Sequence, residues 1–312
     1  MSTRLKYQRP GVQFAVFFAL AIGMFILNVV ITQMFFGEIS EVFTTKKDID
    51  PAMLAKFKWM QFAGAILTFV LPPVIFGYMA DDKQPWRYIG LKRNASIGLA
   101  FFTFLLLISV QPLALLLGQI NETAHFGSAH ELIKSTEEMY ERIMSRFLVM
   151  DTPTDLLINM VIVALLPAIG EELFFRGCLQ GILEKWTRSA IVSIGLSSFA
   201  FALLHGTFFK FLPIFCLGIV LGAIFYVTRN LWYSILFHFL NNTMALLASY
   251  YAQRNDFMKR LADEDFDFNW WLALGSLLVT VTIFIIMRRR VPYQPPEVTW
   301  KNPFDEFPTT PR

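Results

Sequence analysis

An all-α bundle of about eight membrane-spanning helices is the fold class this sequence predicts, and three observations carry the prediction. Of the 312 residues, 55% are hydrophobic and 16% aromatic. Only 16% are charged, against about 25% in a typical soluble domain. Mean hydropathy is +0.50. A helix needs roughly 20 mostly apolar residues to cross the hydrocarbon core, and eight windows approach or exceed that length: about residues 11–36, 59–80, 97–118, 155–183, 189–205, 208–228, 231–250 and 269–287. The connections between them leave no room for a separate soluble domain, so the chain reads as one bundle.

Taken in order, the first window begins too late and runs too long for a cleaved secretory signal. No small-residue cleavage pattern follows it before the polar stretch from Glu38 to Lys58, so it reads as a retained anchor. Between the third and fourth windows, Asn121 to Asp151 alternates charge with Leu132, Ile133, Met139, Ile143 and Phe147 at helical spacing. That pattern predicts an amphipathic helix lying on the membrane surface. The fifth and sixth windows are split only by His205-Gly206-Thr207, the least marked boundary in the chain. The tail from Val291 to Arg312 holds six of the fifteen prolines and is expected to be extended or disordered. These signals divide the chain into residues 1–154, N-terminal spanning helices with the amphipathic helix; 155–250, a polar-residue-bearing helical core; and 251–312, a last span with its tail.

With eight spans, 15 of the 27 Lys and Arg residues fall on the side of the N-terminus, 11 on the opposite side and Arg176 within the membrane. Positive charge accumulates in the cytoplasm, so the expectation is an integral multi-pass protein of a bacterial cell membrane with both termini cytoplasmic. Arg4, Lys6, Arg9 and the run Arg288-Arg289-Arg290 are its main anchors. The net charge of +3 reflects these flanks. No basic run is interleaved with aromatics outside the membrane ends, which argues against a nucleic-acid partner. Cys178 and Cys216 both lie in apolar windows, where cysteine acts as a small packing residue. No internal repeat or low-complexity segment is present.

The fourth window contains Glu171-Glu172-Leu-Phe-Phe-Arg176, two carboxylates and a guanidinium where a bilayer tolerates none. Charge inside a membrane marks a functional site by default. Glu172 and Arg176 are four apart and share a helix face, so Glu172 can neutralise Arg176. Glu171 is rotated by about 100° from Glu172. This leaves Glu171 as a carboxylate with no sequence-local cation, suited to act as a general base. Pro167 and the flanking Gly170 and Gly177 predict a kink or a close helix approach there. Two further pairs follow at i, i+4: Phe201 with His205, and His238 with Asn242. From helix rise alone, Glu171 lies about 18 Å from the N-terminal side of the bilayer, His205 about 24 Å, His238 about 10 Å and Asn242 about 16 Å. The four share a broad central slab, and bringing them together requires tilt or a shift of several residues.

A second copy of the acid-acid-x3-Arg spacing, Glu137-Glu138-Met-Tyr-Glu-Arg142, lies in the amphipathic stretch. There it reads as solvated helix decoration worth only about 0.2–0.5 kcal/mol per pair. His125 and His130, in the same stretch, read as surface residues.

Glu-Glu-x-x-x-Arg, then Phe-x-x-x-His, then His-x-x-x-Asn, in this order across three spans, resembles the CPBP family of intramembrane proteases. That family includes the CAAX prenyl endopeptidases and bacterial abortive-infection and bacteriocin-immunity proteins. The resemblance covers about residues 155 to 246 with no departure at the motif positions; before the fourth span it extends only to the presence of helices. It implies endoproteolysis in a cavity between helices: Glu171 activates a water, His205 helps to hold it, and His238 with Asn242 stabilises the oxyanion, while Glu172, Arg176 and Phe201 support the site. A general base and donors aimed at the developing oxyanion are what direct attack of water on a peptide carbonyl requires. The partner implied is a protein or peptide substrate in or at the lipid bilayer. No cofactor is expected. The alternative is zinc on Glu171, His205 and His238 with an open water position, which the lack of His-Glu-x-x-His disfavours. Two non-enzymatic readings compete. Intramembrane Glu, His and Arg also mark proton-coupled transporters, but matching broken helices in two halves of the chain are missing. A non-catalytic immunity or scaffold protein of the same fold would have little reason to keep such costly residues.

Overall fold

The computed structural model describes residues 4–36, 51–255 and 269–291. The C-terminal tail expected to be extended therefore lies almost wholly outside the described residues, as does much of the Glu38 to Lys58 stretch. Among the described residues the protein is helical with no strand. Helix α1 is Pro10–Phe36. Helix α2 runs from Pro51–Ala65 through the π-helical Ile66–Val70 to Leu71–Ala80. Then come α3, Ile97–Glu122, and the amphipathic α4, His130–Phe147. Helix α5 spans Pro153–Thr187. It is followed by α6, Ala190–Leu204; α7, Phe211–Thr228; α8, Leu231–Ala252; and α9, Trp270–Arg290.

All eight apolar windows are helices, and the amphipathic stretch forms its own helix between the third and fourth. Six helices, α1, α2, α3, α5, α7 and α9, are long and apolar enough to cross a membrane. Helix α6 is apolar but only 15 residues long, and α8 has the length but carries His238, Asn241 and Asn242. Outward-facing Ile22, Phe25, Val29, Leu278 and Val281 are 45–61% exposed, with values of 55%, 53%, 49%, 61% and 45%. Rows of apolar side chains turned outward suit hydrocarbon rather than water. The chain is an integral multi-pass membrane protein.

The core positions the polar residues. Helix α8 packs against α5, α3 and α7, and α6 lies between α5 and α7. Phe17, Phe76, Phe174, Phe175, Ile224 and Phe237 are buried in one continuous apolar cluster. Close approach is enforced at Gly177, where a Cβ would lie 2.8 Å from the Ile89 carbonyl oxygen. The thin boundary between the fifth and sixth windows is a real break: Gly206 adopts φ +67°, ending α6 and turning the chain through the helical turn Phe208–Lys210 into α7. That positive φ is accessible to glycine at little steric cost.

Helix α5 is not straight. It contains two π-helical segments, Met160–Leu165 and Leu173–Gln180, on either side of Leu166–Glu172. Pro167 sits at the start of the central segment, where its missing N–H is absorbed by the wide turn before it. The two acids thus ride on a short α-helical piece between π turns, and depths computed from a straight helix do not apply to them.

Candidate active site

Glu172 and Arg176 share one face, as their spacing requires, and both are fully buried. Arg176 Nη1 donates to Glu172 Oε1 at 2.8 Å. The guanidinium is completed from two other helices: Nη2 donates to the Gly218 carbonyl of α7 at 3.0 Å, and its plane lies over the Phe201 ring of α6 at 4.4 Å. A cation removed from water is tolerable only when so neutralised and hydrogen-bonded. Arg176 is therefore the bolt that joins α5, α6 and α7.

Glu172 has a second partner that spacing did not reveal. Its Oε1 lies 3.0 Å from His238 Nδ1. An acid held by Arg176 is an acceptor, so Nδ1 of His238 is the nitrogen that donates to it. The Nε2 of that ring faces Glu171 Oε2 at 3.8 Å. Glu171 Oε2 is buried and accepts no hydrogen bond from the described residues. The His238 ring thus spans the two adjacent acids, one paired with a cation and the other with none.

His205 is placed by the same reasoning. Its Nδ1 is 2.8 Å from the Phe201 carbonyl oxygen. A carbonyl only accepts, so Nδ1 carries the proton here too and Nε2 is free as an acceptor. Phe201 packs edge-on against both histidines, with ring centroids 4.5 Å from His205 and 5.8 Å from His238. Asn242, one turn beyond His238, donates from Nδ2 to the Val163 carbonyl at 3.4 Å. Val163 is four residues before Pro167, so no N–H in the regular α-helical position can reach that oxygen. The proline therefore exposes the carbonyl that fixes Asn242. One amide N–H of Asn242 is used in this way and the other remains for a ligand.

Glu171, Glu172, Arg176, Phe201, His205 and His238 are thus linked contact by contact across α5, α6 and α8. A zinc centre was the alternative for Glu171, His205 and His238. Both histidines have Nδ1 beside an acceptor, the second contact that a metal-ligating imidazole makes. Among the described residues, however, no three His, Cys, Asp or Glu side chains stand close enough together to hold an ion. The side chains as placed do not fit the metal.

The second copy of the charge motif corrects one expectation. Glu138 and Arg142 are exposed, as solvated decoration should be, but Glu137 is only 7% exposed. Its Oε2 accepts from the Phe209 backbone N–H at 3.3 Å, and Glu141 Oε1 pairs with Lys210 Nζ at 2.8 Å. Helix α4 is thereby clamped onto the turn that follows His205. His125 is exposed and His130 half-buried, their rings stacked at 4.5 Å. Tyr140, on the clamped side of α4, has its phenol raised above the ordinary value. Burial is the main cause; Lys210 opposes it, and the charge of Glu171 adds to it. A surface helix therefore borders the buried site, a relation invisible in sequence because 33 residues intervene between Glu137 and Glu171.

No curated protein and no solved structure is significantly similar to the chain. Residues 153–244 match the family described as type II CAAX prenyl endopeptidase Rce1-like. The match opens at the first residue of α5 and closes two residues beyond Asn242, so it holds every side chain of the cluster just described. Through that segment, under a third of the chain, the protein is similar to the CAAX-type intramembrane proteases.

Proposed function

We propose that the chain is an endopeptidase that hydrolyses a peptide bond of a membrane-associated protein or peptide with water activated by Glu171. The observation that carries this reading is the asymmetry of the two acids. Glu172 is taken up through Oε1 by both Arg176 and His238, its Oε2 buried without a partner among the described residues, while Glu171 shares neither of those bonds and its own buried Oε2 lies 3.8 Å from His238 Nε2. A carboxylate so placed is a general base beside a proton acceptor.

Glu171 takes a proton from water as the water oxygen adds to the scissile carbonyl carbon. The proton passes to His238 Nε2, and Glu172, hydrogen-bonded at Nδ1, offsets the imidazolium charge. The imidazolium then donates to the oxyanion, and Asn242 supplies a second donor from its remaining amide N–H. When the C–N bond breaks, the leaving amine receives that proton. His205 Nε2 accepts from the water's other hydrogen and holds it in line. No Ser or Cys nucleophile takes part.

Comparison of membrane-protein termini in cells producing the wild type or Glu171→Gln tests this. A set of cleaved ends should vanish in the variant at equal protein abundance; identical termini would overturn the reading. Metal content is the second arm. Active purified protein should hold far less than one zinc per chain and keep its rate in chelator, whereas stoichiometric zinc with reversible chelator inhibition would assign Glu171, His205 and His238 as ligands instead.

A further inference from the structure

The segment between α2 and α3 builds a cavity remote from the hydrolytic cluster. Residues 81–94 contain two acids, Asp81 and Asp82, and four cations, Lys83, Arg87, Lys92 and Arg93. Both acids are turned toward the N-terminal segment: Lys6 Nζ lies 2.6 Å from Asp81 Oδ2, and Arg4 Nη2 lies 2.6 Å from Asp82 Oδ1. The hydrogen bond from Lys6 holds the Asp81 carboxyl below the ordinary carboxylate value. The four cations line a cavity of 660 Å³ together with neutral residues that include Gln84 and Trp86, and among the described residues no carboxylate contributes to its wall.

This wall is built into the bundle. Leu231 N donates to the Gly90 carbonyl at 2.9 Å, Asn230 Nδ2 to the Asn94 carbonyl at 3.0 Å, and Ser96 N to the Tyr233 hydroxyl at 2.6 Å. Ile89 between them is 1% exposed. The segment begins one residue after α2 ends at Ala80 and closes just before α3 begins at Ile97, so the cavity lies where hydrocarbon meets water. Tyr78 and Trp86, 50% and 45% exposed, form an edge-on pair at 6.2 Å. Such aromatics sit at headgroup level.

We propose that this cavity binds the phosphate of an anionic phospholipid headgroup. Four cations in a wall that holds no acid among the described residues create a positive potential that a phosphate offsets, and guanidinium groups match phosphate oxygens in geometry. Basic pockets at the ends of spanning helices take such headgroups. Free phosphate would satisfy the cations equally, but the cavity's 660 Å³ volume and the apolar side chains of Trp86 and Leu91 in its wall suit the glycerol and upper acyl carbons of a lipid. This site does not depend on the proposed hydrolysis.

Native mass spectrometry of the full-length protein, loaded with equal phosphatidylglycerol and phosphatidylcholine, provides the test. The wild type should retain phosphatidylglycerol preferentially, and Lys83→Gln with Arg93→Gln should reduce that preference by about tenfold. Lys134→Gln with Arg142→Gln, on exposed α4, should leave it intact. Equal loss in both double variants, or an unchanged preference in the first, would overturn the site. Inorganic phosphate alone separates the two sources: if it raises thermal stability in the wild type while no lipid preference is seen, the ligand is free phosphate and the lipid assignment fails.

Discussion

Glu171-Glu172-x3-Arg176 in α5 and Glu137-Glu138-x3-Arg142 in α4 share one spacing, yet opposite members of the acid pair are consumed. In α5 it is the second acid: Glu172 is fully buried between Arg176 and His238, and the side chain of Glu171 retains 17% exposure. In α4 it is the first: Glu137 is buried against the Phe209 backbone while Glu138 faces out. Identical spacing defines identical faces, so the difference comes from what the neighbouring helix presents to each face. Helices α6, α7 and α8 bring a ring, a carbonyl and an imidazole to the α5 copy. The α4 copy meets the turn after His205. A neutralised acid next to a spare one is chemistry; a capping acid next to a solvated one is architecture.

The largest effect that can break this contrast is on Glu171. Glu171→Gln keeps the side-chain shape and removes the base, so turnover on a peptide identified by the terminus comparison should fall by about 10²–10⁴-fold, with unchanged melting in detergent. A rate within threefold of wild type would remove the distinction between the two copies. Glu172→Gln should differ in kind. It leaves the Arg176 charge buried with a neutral partner, a loss of about 3–5 kcal/mol of stability, read as reduced yield and melting temperature. If Glu172→Gln melts like Glu171→Gln, the division of labour between the acids is wrong.

Next in size are the donors. His238→Ala and Asn242→Ala should each lower kcat by about 10²–10³-fold with little change in KM, because they act on the carbonyl oxygen once it is negative. A rise in KM at constant kcat would make them substrate-binding residues instead.

Much of this was legible in sequence, for physical reasons. Apolar runs near 20 residues announce themselves, so all eight windows and the amphipathic helix are helices where expected. The Glu172–Arg176 pair follows from a four-residue step along one helix. What could not be read is anything that depends on how two helices meet. The bridge from Glu172 to His238 joins α5 to α8, and no periodicity relates them. The burial of Glu137 depends on Phe209 docking. The π turns flanking the acids alter the depth of Glu171 without an obvious sequence mark. Pro167 was the exception: it pointed to a distorted helix, and the carbonyl that it frees at Val163 is where Asn242 is held.

The smallest effects test the α4 copy from within. Glu137→Ala removes the acceptor of the half-buried Phe209 N–H, which should cost about 1–3 kcal/mol and loosen α4 from the turn after His205. Glu138→Ala, one residue away and exposed, should change stability by no more than about 0.5 kcal/mol. The comparison holds protein, helix and substitution constant and varies only the face, so the ratio of the two effects isolates what docking adds to spacing. Hydrogen exchange of the Phe209 amide gives a local readout: it should accelerate in Glu137→Ala and stay at the wild-type rate in Glu138→Ala. Equal exchange in both variants would mean that the clamp is held by Glu141 and Lys210 alone, and that Glu137 is decoration after all.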